Sequence, residues 1–241
     1  MSDTTDTLFT RPRSPGAFRF DEQVAEVFPD MLRRSVPGYG MMLDGIRLIA
    51  RRYVQPGSRV YDLGCSLGAA SLAAMEGAAD REFELIGVDS STAMIQRCEQ
   101  RHADRHPVPE WLCGDIREIP IENASLVMLN LTLQFIPLEQ RHGLIEGIAA
   151  GLRPGGVLLL SEKIRFDDSR EDDGMTALYH DFKRANGYSD MEISTKREAL
   201  ENVLIPETLA VHRRRLRDAG LERAQCWFQC FNFASLLAWK S

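Results

Sequence analysis

The spacing of apolar residues changes along the chain, and the change separates two kinds of predicted structure. In residues 21–34 and again in 41–53, apolar side chains recur every three or four positions, which is typical of one face of an amphipathic helix. From residue 59 onwards, short apolar runs alternate with longer amphipathic segments. The pattern therefore predicts two N-terminal helices followed by a regular succession of strands and helices.

This succession contains five predicted strands with helices between them. The strands are expected at 59–63, 84–89, 110–113, 124–131 and 157–162, and the helices at 67–78, 92–105 and 138–152. Ser90 and Ser91 precede the second of these helices as candidate N-caps. A polar, mostly helical insert follows, and then come a last helix at 207–219 and two strands, 222–228 and 231–239, predicted as an antiparallel hairpin at one sheet edge.

Strands that alternate with helices at this spacing predict an α/β fold with a doubly wound, mostly parallel, Rossmann-like sheet of seven strands. We expect the whole chain, 1–241, to form one domain. Its parts are an N-terminal arm and helical cap at 1–55, a cofactor-binding core at 57–165, a lid insert at 166–205, and the final helix with the edge strands at 206–241.

Composition and charge narrow the classes of protein that fit this fold. The 241 residues are 44% apolar, enough for a sizeable core, and the formal net charge of −6 argues against a protein built to bind nucleic acid. No apolar run approaches the roughly 20 residues that cross a bilayer. The N-terminus is polar and acidic, unlike a signal peptide. We therefore expect a cytoplasmic enzyme with no membrane segment.

The five cysteines indicate neither a disulfide framework nor a metal site, because their number is odd and none stands in a Cys-x-x-Cys pair. No metal is therefore predicted. Cys226 and Cys230 are expected to share one face of a strand as buried thiols.

The segment 64–68 (Gly-Cys-Ser-Leu-Gly) connects the first predicted strand to a helix. In an open parallel sheet, ligands bind beyond the carboxyl ends of the strands, and a helix N-terminus offers free N–H groups to them. Asp89 ends the second strand, where a carboxylate commonly accepts ribose hydroxyls. Asp115 and Ile116 follow the third strand and could hold an adenine ring. The alternative is that both aspartates only cap strand ends.

The glycine spacing distinguishes two classes of nucleotide-binding protein. A dinucleotide enzyme should carry Gly-x-Gly-x-x-Gly, whereas here Asp62 opens the pattern Asp-x-Gly-x-x-x-Gly and an Asp-Ile pair follows the third strand. This combination resembles the S-adenosylmethionine-dependent methyltransferases over about residues 57–165. The chain departs from them at Ser66, where those enzymes usually have a central glycine. A serine there narrows the pocket and adds a hydroxyl.

The end of the fourth strand, 130–134 (Asn-Leu-Thr-Leu-Gln), argues against two groups of methyltransferase. Amino-group methyltransferases of nucleic acids carry Asn/Asp-Pro-Pro-Tyr/Phe there, and pyrimidine C5 methyltransferases carry a nucleophilic cysteine. Asn130 either faces the cofactor or simply ends the strand. No acceptor-activating base stands out, so the catalytic residue is left unassigned.

Several longer stretches resemble the carboxy-S-adenosyl-L-methionine synthase family from about Asp6 to Lys240. They are residues 20–31, 34–39, 60–70, 121–125, 180–189 and 227–233, of which the second and fifth are distinctive. The resemblance implies a carboxyl transfer. Members take the carboxyl carbon of prephenate, release phenylpyruvate and place the carboxylate on the S-methyl carbon of the cofactor. A separate enzyme uses the product, carboxy-S-adenosyl-L-methionine, to carboxymethylate a wobble uridine in transfer RNA. The resemblance also implies a homodimer.

The same resemblance implies which residues contact the cofactor. They are Tyr39, Gly64, Cys65, Ser66, Asp89, Ser90, Asp115, Ile116, Asn130 and Arg197. An arginine near a sulfonium costs energy unless an anion lies between them, and its planar fork suits a carboxylate. Arg197 is therefore the best candidate to stabilise the transferred carboxylate. From spacing alone it could instead be a solvated lid residue paired with Glu198 or Glu201.

The chemistry implied by the family passes through an ylide on the sulfonium methyl, which survives only where water is excluded. The cap that carries Tyr39 and the 166–205 insert are the candidate lids. Prephenate has two carboxylates, so further contacts are expected. The candidates, each of which could equally be a surface residue, are Lys183, Arg184, His180 and Tyr188.

Two other functions stay open at this point. The chain could be a conventional S-adenosylmethionine-dependent methyltransferase acting on a small molecule or transfer RNA, or a non-catalytic binder that serves as an RNA-modification scaffold. The basic run 212–217 invites an RNA interpretation. Its helical spacing instead predicts that Leu209, Leu216 and Ala219 form a buried side and that the arginines face solvent. No direct contact with nucleic acid is required.

Overall fold

A computed structural model describes residues 4–10, 18–105 and 108–241, and this part of the chain contains eight α-helices and seven strands. The helices are α1 (Glu22–Ser35), α2 (Tyr39–Tyr53), α3 (Ala69–Gly77), α4 (Thr92–His102), α5 (Arg141–Gly151), α6 (Ser169–Ala185), α7 (Asp190–Ala199) and α8 (Leu209–Asp218). The strands are β1 (Ser58–Leu63), β2 (Phe83–Asp89), β3 (Glu110–Cys113), β4 (Ala124–Asn130), β5 (Leu152–Lys163), β6 (Arg223–Cys230) and β7 (Phe233–Trp239). None of these helices is long and apolar enough to cross a membrane.

The strands form one sheet in the order β3-β2-β1-β4-β5-β7-β6. Strands β1 to β5 are parallel, and β7 runs antiparallel between β5 and β6. This confirms the predicted doubly wound, mostly parallel sheet and the antiparallel hairpin at its edge. The strand order reverses between β1 and β4, and the crevice at such a switch point is the usual ligand site.

Strand β4 shows how the sheet is held between two helical layers. Successive side chains of a strand point to opposite faces, so its almost continuously apolar sequence buries both faces. Leu129 packs in one apolar cluster with Ile145 of α5, and Met128 packs in the opposite cluster with Ile46 of α2. Each such fully buried side chain stabilises the fold by roughly 1.5–3 kcal/mol. The carboxyl end of β4 is therefore firmly placed.

Several element ends differ from the prediction, and two of them are set by a backbone conformation or by a distant partner. Helix α3 begins at Ala69 rather than at 67, since Gly68 before it lies in the left-handed region with φ +77°. Strand β5 begins at Leu152 rather than at 157, because Leu152 pairs with Ala124 of β4. Lys240, beyond β7, extends the pairing through backbone hydrogen bonds to residues 155 and 156.

The prediction that Cys226 and Cys230 share one face of a strand as buried thiols is wrong. Strand β6 contains a bulge between Cys226 and Phe228, so that Cys226 pairs with Leu236 and Cys230 pairs with Phe233. These partners stand an odd number of residues apart on β7, and the two thiols therefore lie on opposite faces of the sheet. Both are half-buried, and burial raises the pKa of each thiol.

Candidate functional site

A cavity of about 1080 Å³ opens at the carboxyl ends of the parallel strands. The residues that the sequence suggested as cofactor contacts come from six separate parts of the chain, and all of them line it. They are Tyr39, Gly64, Cys65, Ser66, Asp89, Ser90, Asp115, Ile116, Asn130 and Arg197. The fold thus gathers the predicted set at one place, at the switch point of the sheet.

The glycine loop between β1 and α3 adopts a conformation that few residues tolerate. Gly64, Ser66 and Gly68 all have positive φ, at +82°, +51° and +77°. A Cβ on Gly64 would lie 2.4 Å from the side chain of Thr132, so a larger residue does not fit there. The left-handed conformation costs a residue such as Ser66 roughly 1–2 kcal/mol. This strain is stored in a turn that faces the cavity, as is common at ligand-binding sites.

Asp89 holds the glycine loop from the end of β2. Its Oδ2 accepts a hydrogen bond from Ser66 N–H at 2.9 Å, and its Oδ1 accepts one from Ser91 N–H at 2.9 Å. Burial raises the pKa of Asp89, and these two hydrogen bonds act in the opposite direction. Each oxygen retains a lone pair for a ligand hydroxyl. Ser91 also caps α4 by accepting from Met94 N–H, as predicted.

Asp115 is engaged by its own neighbour on the chain. Arg117 Nε donates to Asp115 Oδ1 at 2.8 Å, and Arg117 Nη2 donates to the other oxygen. These hydrogen bonds lower the pKa of Asp115, which is therefore ionised at neutral pH. The carboxylate stands at the cavity wall next to the buried side chain of Ile116. A ligand amino group would share it with Arg117.

Asn130, the last residue of β4, has a side-chain oxygen that is available to accept a hydrogen bond from a ligand. Its side-chain Oδ1 is buried and has no partner among the described residues. A buried polar atom left unpaired costs roughly 1–3 kcal/mol, so a ligand donor would stabilise it. The turn that follows is fixed by Glu162, whose oxygens accept from the N–H groups of Leu133 and Gln134 at 2.9 and 2.8 Å.

Tyr39 is placed by a tight turn at the start of α2. Gly38 has φ +71°, and a Cβ there would lie 2.6 Å from the ring of Phe228. Tyr39 lines the cavity as the first residue of the helix. Burial and the nearby carboxylate of Asp62 raise the pKa of the Tyr39 phenol, so that it remains a hydrogen-bond donor at neutral pH.

Four cations line the side of the cavity formed by the end of β5 and by helices α6 and α7. They are Lys163, Lys183, Lys196 and Arg197, and we call this set the cationic wall. The ring of Tyr179 lies beside two of them, with Lys163 Nζ 5.1 Å and Lys183 Nζ 4.5 Å from its centroid. Within the described ranges, neither Lys183 nor Arg197 has a hydrogen-bond or ion-pair partner. For these two side chains, the described residues therefore supply no matching negative charge.

The like charges of the cationic wall oppose one another. Burial, reinforced by repulsion from its cationic neighbours, holds the pKa of Lys183 well below its usual range. Burial also lowers the pKa of Lys163, and it lowers that of Lys196 to about 8. An anion in the cavity would favour the protonated form of each amine. The wall is thus suited to receive negative charge.

Of the four residues suggested as prephenate contacts, two line the cavity and two do not. Lys183 and His180 line the cavity. Arg184 is exposed on the far side of α6, where it pairs with Asp181 and Asp190. Tyr188 is buried beneath α7 and is not part of the cavity lining. Only the first two are therefore in a position to meet a ligand there.

Arg197 is exposed on α7 and borders the cavity. The alternative that it pairs with Glu198 or Glu201 does not hold in the described structure. Glu198 instead accepts a hydrogen bond from Ser194 Oγ at 3.1 Å. The guanidinium is free to bind an incoming anion.

Sequence reasoning missed Lys163, Lys196 and Tyr179, which all line the cavity. Lys163 could have been found, because it directly follows the fifth predicted strand, at the edge where ligands bind. Lys196 and Tyr179 lie on the helices of the insert, whose packing no local pattern reveals.

The basic run 212–217 belongs to α8, which packs beside the sheet. Leu216 is buried, and Leu209 and Ala219 pack partly buried against the same apolar cluster, as predicted. The prediction that the arginines face solvent is wrong for Arg215, whose side chain is 11% exposed and bound to Glu207 at 2.6 Å. His212 is also buried. The remaining arginines of the run are exposed.

Solved structures and a family model identify the class of fold. Human N-acetylserotonin methyltransferase in complex with S-adenosylmethionine matches with a TM-score of 0.62 and 17% identity, over 91% of this chain and 55% of its own. Magnesium protoporphyrin IX methyltransferase from Synechocystis matches with a TM-score of 0.60 and 18% identity, over 88% and 87%. A methyltransferase-domain family model matches residues 60–156. The sheet order and these likenesses define an S-adenosylmethionine-dependent methyltransferase fold.

Relatives over the full length identify the family within this class. A Geobacter sp. (strain M21) protein is 55% identical over all of both chains. A Marinobacter nauticus protein is 56% identical over 98% of this chain and 96% of its own, and one from Aliivibrio fischeri is 51% identical over 98% of each. All three are named carboxy-S-adenosyl-L-methionine synthase. The chain belongs to the carboxy-S-adenosyl-L-methionine synthase family, as its motifs predicted, and is an enzyme that uses S-adenosylmethionine.

Proposed function

We propose that this chain converts S-adenosyl-L-methionine and prephenate to carboxy-S-adenosyl-L-methionine and phenylpyruvate. The observation that carries the proposal is the cationic wall, which lines the same cavity as the glycine loop. A methyl transfer gains nothing from cations near a sulfonium, since like charges repel. A reaction that admits a dicarboxylate and leaves a carboxylate on the cofactor requires them.

In this proposal the cofactor lies along the glycine loop, with its ribose hydroxyls on Asp89 and its adenine at Asp115 and Ile116. Its amino-acid end lies over Gly64, Cys65 and Ser66, with Ser90 beside the ribose. The unpartnered Oδ1 of Asn130 would accept from the ammonium group. Tyr39 closes the cavity from the cap and helps to exclude water.

The proposed reaction balances without an external oxidant or reductant. The bond between the prephenate ring and its ring carboxylate breaks, and its electron pair makes the ring aromatic while hydroxide leaves. The S-methyl group gives a proton to that hydroxide, which becomes water. The methyl carbon then forms a bond to the released carbon dioxide. The leaving hydroxide serves as the base, so the proposed reaction needs no base from the protein.

Two parts of the cationic wall take different roles in this proposal. Arg197 binds the carboxylate that arrives on the cofactor, through paired charge-assisted hydrogen bonds. Lys183 receives a carboxylate of prephenate, because its amine is buried and unpaired. His180 and Lys163 support it from the same side of the cavity.

We further propose that the chain acts in the cytoplasm as a homodimer, and that a separate enzyme uses its product to carboxymethylate a wobble uridine in transfer RNA. Met41 and Leu48 on α2 and Leu178 on α6 are large apolar side chains left exposed, which supports a contact between copies. Sedimentation equilibrium measures the mass of the assembly directly, and a monomeric mass would reject the proposed homodimer.

The proposed reaction is tested by incubating the protein with S-adenosylmethionine and prephenate. We expect the nucleotide to gain the mass of one carbon dioxide and an equal amount of phenylpyruvate to appear, with neither change when prephenate is omitted. Methyl transfer to transfer RNA with release of S-adenosylhomocysteine, and no carboxylated nucleotide, would instead support a conventional methyltransferase. Retention of both substrates unchanged would favour a non-catalytic binder.

A further inference from the structure

The N-terminal arm holds a buried acid where a surface residue would be expected. Asp6 is only 2% exposed although it lies in an irregular segment. Its backbone is tied to α1: its N–H donates to Asp30 Oδ2 at 2.8 Å, and its carbonyl accepts from Arg34 Nη1 at 3.1 Å. A buried carboxylate is rare unless it is paired. Its side-chain partners therefore indicate why it is there.

The Asp6 carboxylate points at the lid rather than at its own segment alone. Its Oδ2 accepts from the Tyr188 hydroxyl at 2.5 Å, across 182 positions of sequence. Lys196 Nζ lies 3.9 Å from the same oxygen and donates to Ser35 Oγ at 2.8 Å. Asp6, Tyr188, Lys196 and Ser35 are all buried, and we call this group the arm–lid cluster.

Lys196, a member of the arm–lid cluster, directly precedes Arg197 on α7. Consecutive residues of an α-helix point about 100° apart, so a helix that directs Lys196 towards the arm fixes the direction of Arg197. A second contact also joins the N-terminal arm to α7: Phe18 N–H donates a hydrogen bond to the carbonyl of Ala199, the last residue of α7, at 3.3 Å. Phe9 of the arm packs in one apolar cluster with Ala199 and with Leu67 of the glycine loop. The arm therefore joins the lid to the cofactor loop.

We propose that Asp6 is a positioning residue: by binding Tyr188 and Lys196 it orients α7 so that Arg197 meets the carboxylate on the cofactor. The inference rests on the role of Arg197 in the proposed function. Asp6 contacts no reacting atom and acts only through the helix that it holds. In the described structure the side-chain partners of Asp6 are Leu8, Tyr188 and Lys196, and none lies in the glycine loop, so we expect S-adenosylmethionine binding not to require Asp6.

Four variants test this role: Asp6→Ala, Asp6→Asn, Arg197→Ala and the Asp6→Ala/Arg197→Ala double variant. Glu26→Gln serves as the control, because Glu26 is an exposed acid of α1. Titration calorimetry measures the affinity for S-adenosylmethionine and for carboxy-S-adenosyl-L-methionine, which is prepared by alkylating S-adenosylhomocysteine with iodoacetate. We expect Asp6→Ala to weaken binding of the carboxylated ligand about tenfold and to leave that of S-adenosylmethionine unchanged.

The double variant distinguishes positioning from a general loss of structure. If Asp6 acts through Arg197, the double variant binds the carboxylated ligand no more weakly than Arg197→Ala alone. Asp6→Asn should lose less affinity for the carboxylated ligand than Asp6→Ala, because the amide oxygen of asparagine can still accept a hydrogen bond from Tyr188. Losses that add in the double variant, or equal losses for both ligands, would overturn the proposal.

Hydrogen–deuterium exchange of the ligand-free proteins tests the same contact without reference to the reaction. We expect faster exchange in α7 for Asp6→Ala and wild-type exchange for Glu26→Gln. Unchanged exchange in α7 would show that Asp6 does not hold the lid. If the wild type forms no carboxylated product while exchange responds as expected, the proposed function fails and the arm–lid contact stands.

Discussion

At the scale of single residues, Arg197 carries most of the proposed specificity. It lines the cavity with its guanidinium unpaired in the described structure, close to Lys183 and Lys196 on the same wall. A protein gains no stability from leaving Lys183 and Arg197 unpaired side by side, so their placement is explained by a ligand that supplies the missing negative charge. In the proposed function, the carboxylate of carboxy-S-adenosyl-L-methionine supplies this charge.

Replacing Arg197 by alanine should weaken binding of carboxy-S-adenosyl-L-methionine and spare that of S-adenosylmethionine. The lost hydrogen bonds to a charged group are worth about 1.5–3 kcal/mol, which corresponds to a roughly 10- to 100-fold increase in Kd. Titration calorimetry checks both ligands. Arg213→Ala, an exposed arginine of α8, is the matched control. Equal Kd values for the variant and the wild type would return Arg197 to the role of a solvated lid residue.

At the scale of elements, α8 contains a titratable group that couples its packing to pH. His212 is 2% exposed, and burial lowers its pKa to about 4, with Arg215 and Arg141 opposing its protonation and Glu207 favouring it. The unfolded chain takes up this proton near pH 6.5. His212 is therefore neutral in the folded protein at neutral pH, and its stabilising contribution is lost as the pH falls from about 6.5 towards 4.

His212→Gln should remove that part of the pH dependence. Between pH 7.5 and pH 4.5, the free energy of unfolding of the wild type is expected to fall by up to about 3 kcal/mol more than that of the variant. Urea unfolding at several pH values measures this difference. His142→Gln is the control, because His142 is exposed on α5. The same pH dependence in wild type and His212→Gln would contradict the assignment.

At the scale of the whole molecule, the sequence predicts most of the fold because its signals are local. The apolar runs of β1, β4 and β5 and the helical spacing between them need only near neighbours to be interpreted. Several cofactor-contact candidates could be predicted for the same reason. Asp89, Asp115 and Asn130 lie at or just beyond strand ends, and parallel strands bring their carboxyl ends to one edge.

The features of the fold and of the site that the sequence does not predict depend on contacts between distant parts of the chain. The burial of Asp6 is decided by Tyr188 and Lys196 on the lid, and no pattern near residue 6 reveals it. The bulge in β6 reverses the alternation that placed Cys226 and Cys230 together. The local periodicity of the sequence cannot predict the burial of Asp6 or the bulge in β6, because both arise only when the elements pack together.

In the proposed reaction a carboxyl group moves from prephenate to the cofactor, and isotope labelling measures this transfer. The protein is incubated with S-adenosylmethionine, prephenate carrying carbon-13 in its ring carboxylate, and unlabelled bicarbonate. We expect carbon-13 in the new carboxylate, bonded to the former methyl carbon, and none in phenylpyruvate. A product whose new carboxylate is unlabelled, or a labelled donor that remains intact while S-adenosylhomocysteine accumulates, would contradict it.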